Sequence, residues 1–189
     1  RNGKFVFDIS DDAEFVYITT PAGYVADWSS GVPAFYIPAP GRNRFDFQLD
    51  RTQKSSQYHI IAVSDPQTHS DAHFAEFSAR PLEDMALTAA SFEGFGVGLM
   101  LGDISWDRIE ILDMYKKEIV RAGIPFYPVV GNHDNEAYVK GDKEASASYR
   151  KKMGPENYAF RMGEEVVIVL DNIIYDTNFK CSIGYTDEV

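Results

Sequence analysis

The 189-residue chain is long enough for one domain of ordinary size, or for a small and a medium one, and its 44% content of hydrophobic residues is sufficient for a core. A formal net charge of −11 disfavours nonspecific binding to nucleic acid and suits acidic groups that bind cations. The longest apolar runs, such as VVIVL at 166–170, are too short for a membrane span, and the single Cys181 excludes an internal disulfide and a zinc site built from several cysteines.

Residues 1–56 predict a small β-domain, or part of one, that ends in a linker. Short alternating or aromatic-rich runs separated by Asp, Gly and Pro are typical of antiparallel strands, and here they read KFVFDI, EFVYITT, AFYIPA and RFDFQL. None of these runs has helical periodicity. The polar stretch DRTQKSSQ at 50–57 is predicted to be the linker.

In residues 57–189 apolar strands alternate with helices. YHIIAVS, VGLML and PFYPVV have the length and composition of buried strands. The segments that begin at Pro81 and Trp106 have helical periodicity, and the second ends in Lys and Arg before Gly123. This order predicts an α/β fold in which right-handed βαβ units form a parallel sheet covered on both faces.

Polar side chains follow each of the three predicted strands. Asp65 and Gln67 follow the first, Asp103 follows the second, and Asn132 and His133 follow the third. Because the carboxyl ends of parallel strands meet at one edge of a sheet, we expect these side chains to converge there. The alternative is turn chemistry that occurs by chance at three strand ends.

Such a set of side chains favours hydrolysis at phosphorus on a pair of divalent ions. Oxygen ligands suit Mn²⁺, Mg²⁺ or Fe²⁺ better than Zn²⁺. Asp103 is the candidate bridge between the ions, with Asp65 and Gln67 on the first ion and Asn132 on the second. These four ligands leave both coordination shells incomplete.

The blocks SDPQ, LGDISWD and VVGNHD, in this order and separated by helices, resemble the first three signature blocks of the calcineurin-like metallophosphoesterases. NYAFRMGEEVVIVLDN resembles the antiparallel strand pair that follows them, and GKFVF, VYITTPAGY and GVPAFY resemble the N-terminal β-domain of a secreted bacterial branch. Gln67 stands where the first block usually has a histidine.

The resemblance implies the N-terminal half of the family's αββα sandwich, preceded by a partial β-domain. It also implies hydrolysis of phosphate monoesters or diesters on two metal ions and a periplasmic or cell-surface location. By the same resemblance His133 donates a proton to the leaving oxygen or stabilises the transition state, and Asp107 orients His133. The alternative for Asp107 is an acid in the first turn of a helix, where the helix dipole favours it.

Three further residues are candidates for contact with substrate: Arg108, His69 and His73. The alternative for Arg108 is a solvated position on a helix. His69 and His73 are four residues apart, which would place them on one helical face, but a solvated loop is the alternative that the sequence favours for their segment. Asp171 and Asn172 are expected to be hydrogen-bonding residues at a strand end.

The family completes its site with later histidines, and no histidine follows His133 in this sequence. We therefore expect an internal fragment that lacks the C-terminal half of the same protein, binds metal weakly and turns over poorly. The alternative function is a non-catalytic module on the same scaffold. It would bind metal, or bind carbohydrate or protein through aromatic residues of the β-domain: Tyr24, Trp28, Phe35 and Tyr36.

Overall fold

A parallel sheet of three strands lies at the centre of the structure. The computed structural model describes residues 3–52, 57–177 and 180–185. Its strands are β1 (Phe15–Tyr17), β2 (Tyr24–Ala26), β3 (Tyr36–Pro38), β4 (Leu49–Arg51), β5 (Tyr58–Val63), β6 (Phe95–Leu101), β7 (Phe126–Val129), β8 (Tyr158–Met162), β9 (Glu165–Val169), β10 (Ile173–Thr177) and β11 (Lys180–Ile183). Its α-helices are α1 (Asp71–Ala79), α2 (Pro81–Ala90), α3 (Ile111–Ile119), α4 (Asp142–Ala145) and α5 (Ala147–Met153).

The central sheet has the order β5-β6-β7, and both pairings are parallel. Val63 pairs with Met100, and Leu101 pairs with Val129, so the three strands end at the same edge. The predicted parallel α/β arrangement is therefore confirmed. It places the polar segments after β5, β6 and β7 side by side.

The two faces of this sheet are covered by different elements. On one face α1, α2, α3 and α5 bury a core around Met100 and Phe126. On the other face the antiparallel pair β8–β9 and the N-terminal strands bury a second core around Val97 and Tyr127. The antiparallel pair predicted from NYAFRMGEEVVIVLDN is confirmed, and the strands are apolar on both faces because both cores draw on them.

The N-terminal segment forms two short antiparallel pairs, β1–β3 and β2–β4. The strand predicted at KFVFDI is wrong, because residues 4–9 form no strand and Phe5, Val6 and Phe7 are exposed. The predicted linker at 50–57 overlaps β4, and its residues 53–56 lie outside the described part of the chain. The division into domains at residue 56 stays a prediction.

Two helical predictions need correction. The loop favoured for the segment of His69 and His73 is confirmed for His69, which precedes the helix, but it is wrong for His73, because α1 begins at Asp71. Ser70 caps this helix by accepting a hydrogen bond from the backbone N–H of His73, and two buried phenylalanines, Phe74 and Phe77, anchor it to the core. The helix expected from Trp106 begins only at Ile111, since residues 106–110 form the loop that joins the sheet edge to α3.

Polar and close backbone contacts join the N-terminal segment to the helices. Arg150 of α5 donates through Nε to Glu14 at 2.7 Å and lies 3.5 Å from a carboxylate oxygen of Glu156. Gly31 packs against the backbone of Lys116 in α3 so closely that a Cβ built on Gly31 would lie 2.1 Å from the Lys116 carbonyl oxygen. The N-terminal strands are thus fixed to the α/β part by packing as well as by charge.

We expect Gly31→Ala to lower the free energy of unfolding by about 3 kcal/mol, because the new Cβ would be strained by the left-handed φ and would overlap the backbone of Lys116. Gly31 has φ +93°. The matched control is Gly23→Ala, because Gly23 has φ +79° and no atom within 4 Å of its added Cβ. The free energy of unfolding of the control should fall by only about 1 kcal/mol. Urea unfolding of both variants measures the difference, and equal losses would contradict the close packing.

Burial, helped by the Asp171 carboxylate, raises the pKa of Glu156 to about 7 from an ordinary 4.5, despite the neighbouring Arg150. A carboxyl whose pKa is higher in the folded state favours folding fully below about pH 4.5, and this contribution is lost as the pH rises through 7. Between pH 5 and pH 8, the free energy of unfolding of wild type should therefore fall by about 1–3 kcal/mol more than that of Glu156→Gln. Urea unfolding at both pH values tests this, and parallel losses in the two proteins would refute it.

Candidate functional site

The segment after β5 continues alongside the segment after β6 beyond the end of the strands. The backbone N–H groups of Asp65, Gln67 and Thr68 donate in turn to the carbonyls of Gly102, Asp103 and Ile104, at 3.2, 2.9 and 3.2 Å. This ladder extends the sheet edge into the two loops. It places Asp65 and Gln67 next to Asp103, as the strand order predicts.

The Asp103 carboxylate connects all three loops. Its Oδ2 accepts a hydrogen bond from Gln67 Nε2 at 3.2 Å, and its Oδ1 accepts one from the backbone N–H of His133 at 3.0 Å. The residue is only 7% exposed. Each carboxylate oxygen has one hydrogen bond here and keeps a further lone pair, which is what a ligand that bridges two cations requires.

His133 is held from its edge and from its face. Its Nδ1 lies 2.8 Å from Asp107 Oδ1, and its ring stacks on the indole of Trp106 at a centroid distance of 4.3 Å and an interplanar angle of 16°. The backbone N–H of Asp107 also donates to the His133 carbonyl at 3.1 Å. The reading of Asp107 as a first-turn helix acid is therefore wrong, because Asp107 lies in the loop before α3 and faces His133.

Left-handed backbone conformations concentrate at this edge. Over the described part of the chain, the non-glycine residues with positive φ are Asp65 (+53°), Gln67 (+45°), Asp103 (+49°) and Asp107 (+54°). Each costs roughly 1 kcal/mol or more relative to ordinary backbone, so surrounding contacts must hold it in place. Strain of this kind is typical of sites where side-chain direction matters.

Asp134 is the buried support beneath the site. Its carboxylate accepts backbone hydrogen bonds from Ser105 at 2.9 Å, Gly131 at 3.1 Å and Ile104 at 3.3 Å, so it joins the loop after β6 to the loop after β7. Burial, with a smaller contribution from the Asp103 charge, raises the pKa of Asp134 to about 7 against the lowering effect of the three N–H donors. Ser105 Oγ adds a bond to the His133 carbonyl at 2.9 Å.

Gly131 permits the close approach of these two loops. A Cβ at Gly131 would lie 2.1 Å from the Asp103 backbone nitrogen and 2.2 Å from Asp103 Oδ1. Any larger residue would displace the candidate bridging carboxylate. The glycine in VVGNHD is thus required by the site as well as by the turn.

The remaining predicted residues lie around this centre. Asn132 opens the short 3₁₀ helix Asn132–Asp134 and is half-buried, so it stands at the end of β7 beside His133. Arg108 Nη1 forms an ion pair with Asp71 Oδ1 at 2.9 Å, which ties the loop before α3 to the start of α1. The rings of His69 and His73 are exposed and contact each other at 4.0 Å, edge to face.

Asp171 accepts a hydrogen bond from the backbone N–H of Ile173 at 2.9 Å, as expected of a strand-end residue. In the N-terminal segment, Phe35 is 1% exposed and packs against Tyr158, with the ring centroids 4.6 Å apart and the rings tilted by 34°. Tyr36 is packed against both cores. Two of the four aromatic residues considered for a binding face are therefore occupied in core packing.

The oxygen donors at the sheet edge are of the kind that hard divalent cations bind. Donation from Gln67 Nε2 to Asp103 leaves Gln67 Oε1 as the free acceptor of that amide, and Asp65 is exposed at the same edge. Asp65, Gln67, Asp103 and Asn132 therefore supply carboxylate and amide oxygens, which Mg²⁺ and Mn²⁺ prefer. Within residues 3–52, 57–177 and 180–185, no group of three or more His, Cys, Asp or Glu side chains is placed to hold an ion.

Sequence reasoning did not assign roles to Asp134 and Trp106. Asp134 was visible as the carboxylate of VVGNHD, but its function depends on three backbone donors from distant positions, which no local pattern reveals. Trp106 follows Ser105 in a segment predicted to be helical, and only the late start of α3 brings its indole onto His133.

Comparisons with known proteins leave the family open. No protein-family model matches the chain, and no curated protein sequence matches it. Among the helices of the described residues, none combines the length and the apolar character that crossing a membrane requires.

Asp134→Ala tests the support beneath the site. The substitution leaves three buried backbone N–H groups without an acceptor, so the free energy of unfolding should fall by roughly 3 kcal/mol or more. Asp134→Asn keeps one oxygen acceptor and should recover part of the loss. The control is Asp84→Ala, at an exposed position in the first turn of α2, where a change within about 0.5 kcal/mol is expected. Chemical denaturation measures all three, and an Asp134→Ala loss no larger than the control would reject this role.

Proposed function

We propose that the chain belongs to a metal-dependent hydrolase of phosphate esters, and that residues 57–189 form the N-terminal part of a calcineurin-like metallophosphoesterase domain. One observation carries the proposal: a line of hydrogen bonds runs from Gln67 through Asp103 and His133 to Asp107, across the ends of three neighbouring strands. The resemblance of SDPQ, LGDISWD and VVGNHD to the family's signature blocks supports it. A periplasmic or cell-surface location rests on that resemblance alone.

In this proposal two divalent ions, Mn²⁺, Mg²⁺ or Fe²⁺ rather than Zn²⁺, are held by Asp65, Gln67, Asp103 and Asn132. When bound, the ions would activate a water and neutralise charge on the phosphate oxygens. Asp103 suits the bridging position, because both of its oxygens point into the space between loops that also carry Gln67 and His133. Further donors are needed to complete the shells.

His133 is assigned the proton transfer to the leaving oxygen. Its Nδ1 faces Asp107, so a proton on Nδ1 is held by the carboxylate and Nε2 is the nitrogen that faces substrate. Asp107 fixes the ring orientation. The left-handed backbone of Asp107 and the stacked Trp106 keep this pair in one geometry.

Asp103→Asn is the direct test. In the full-length protein, Mn²⁺, Mg²⁺, Fe²⁺ and Zn²⁺ are added separately, and hydrolysis of generic phosphomonoesters and phosphodiesters is measured together with metal binding by calorimetry. Loss of the bridging charge should lower metal-dependent hydrolysis roughly a hundredfold or more and weaken metal binding.

The control is Asp113→Asn, since Asp113 lies in the first turn of α3 and pairs with Lys152. This variant should keep both the hydrolysis and the metal affinity of wild type. Metal-dependent hydrolysis that survives in Asp103→Asn would reject the assignment. Metal binding without hydrolysis in wild type would favour the non-catalytic alternative.

A further inference from the structure

Trp106 is fixed at the point where the three loops meet. Its backbone N–H donates to the Thr68 carbonyl at 3.1 Å. Its neighbours in sequence are also tied down, because Ser105 donates to Asp134 and Asp107 donates to the His133 carbonyl. The indole therefore projects from a rigid backbone, and its position beside His133 is built into the loop.

The side chain of Trp106 is nevertheless 44% exposed, although the residues just before it, Ile104 and Ser105, are buried. The stack on His133 accounts for one face of the indole. An indole is larger than an imidazole, so the stack leaves part of the aromatic surface open to solvent. A partly exposed indole on a rigid backbone presents a flat apolar face to a planar ligand, as aromatic residues at binding surfaces do.

The position of His133 relates this surface to the leaving group. With Nδ1 directed at Asp107, the proposed role of His133 brings the leaving oxygen to Nε2. Because the indole lies parallel to the imidazole at 4.3 Å, whatever is attached to that oxygen starts beside the open part of the indole. Trp106 is therefore within reach of the leaving group.

The charged residues closest in sequence to Trp106 are already engaged. Arg108, which is adjacent to Asp107, is paired with Asp71 at 2.9 Å. Asp107 itself is occupied by His133. Stacking on an indole needs no charge and accepts any planar ring, so it is the recognition mode that this rim provides.

We propose that Trp106 is a specificity-determining residue that stacks on the leaving group, and that the preferred substrates are phosphate esters of planar aromatic alcohols or nucleosides rather than of aliphatic alcohols. This inference rests on the proposed function for the placement of the leaving oxygen. It adds the chemical class of the leaving group, which the metal ligands do not determine.

The experiment is a calorimetric comparison of three ligands in the presence of Mn²⁺: phenyl phosphate, adenosine 5′-monophosphate and glycerol 3-phosphate. Wild type should bind at least one of the two aromatic esters about tenfold more tightly than glycerol 3-phosphate, the size of effect that base–aromatic stacking provides. Whichever of phenyl phosphate and adenosine 5′-monophosphate binds more tightly shows whether an aryl or a nucleoside leaving group is preferred. Trp106→Leu should bring all three affinities within about twofold, and Trp106→Phe should keep most of the preference.

Trp28→Leu is the matched control, because Trp28 is the other tryptophan of the chain and lies in the N-terminal segment. Equal wild-type affinities, a preference that survives in Trp106→Leu, an equal loss in Trp28→Leu, or no binding of any ester would each overturn the inference. Metal-dependent hydrolysis that does not discriminate between aromatic and aliphatic esters would leave the proposed function standing without this inference. An aromatic preference that depends on Trp106, in a full-length protein that hydrolyses nothing, would support the stacking surface and reject the hydrolase.

Discussion

The carboxylate of Asp134 is the interaction on which the candidate site depends. It has no surface role, yet it accepts backbone hydrogen bonds from both Ile104 and Ser105 in one loop and from Gly131 in the next. A buried carboxyl is expensive unless such donors satisfy it, so the loops and the acid stabilise one another. Through this contact the end of β6 and the end of β7 are held at a fixed separation, which sets where Asp103 meets the His133 backbone.

That fixed separation explains how strained backbone persists at the rim. Asp65, Gln67, Asp103 and Asp107 all have φ near +50°. An isolated loop would relax each of these residues, but here the first two are part of a hydrogen-bonded ladder with the next loop, and Asp107 is held by His133. The left-handed φ values of these four residues direct their side chains toward the ends of the strands. Rigid loops with directed side chains are the requirement for a metal or substrate site on an α/β sheet.

The sequence predicted what depends on periodicity and on strand order. The three buried strands, the pair β8–β9 and the meeting of Asp65, Gln67, Asp103 and His133 at one edge all follow from apolar runs and from the geometry of parallel sheets. Prediction from the sequence failed where contacts between distant residues determine the local structure. The start of α1 depends on two buried phenylalanines. Residues 4–9 resemble a strand in sequence but lack a partner strand among the described residues. The late start of α3 follows from the pairing of Asp107 with a histidine 26 positions away.

The balance of charge at the rim bears on which function the geometry supports. Four carboxyl groups, those of Asp65, Asp103, Asp107 and Asp134, stand on the three loops or beneath them, and Arg108, which follows Asp107, is paired with Asp71. The Asp103 charge contributes to the raised pKa of Asp134, which reflects the repulsion between these acids. A phosphate anion approaching this rim directly would meet an unfavourable potential. Divalent cations bound by the same oxygens would reverse it, so the excess of acid is understandable in a metal-dependent phosphoesterase and has no comparable explanation in a site that binds phosphate through its own cations.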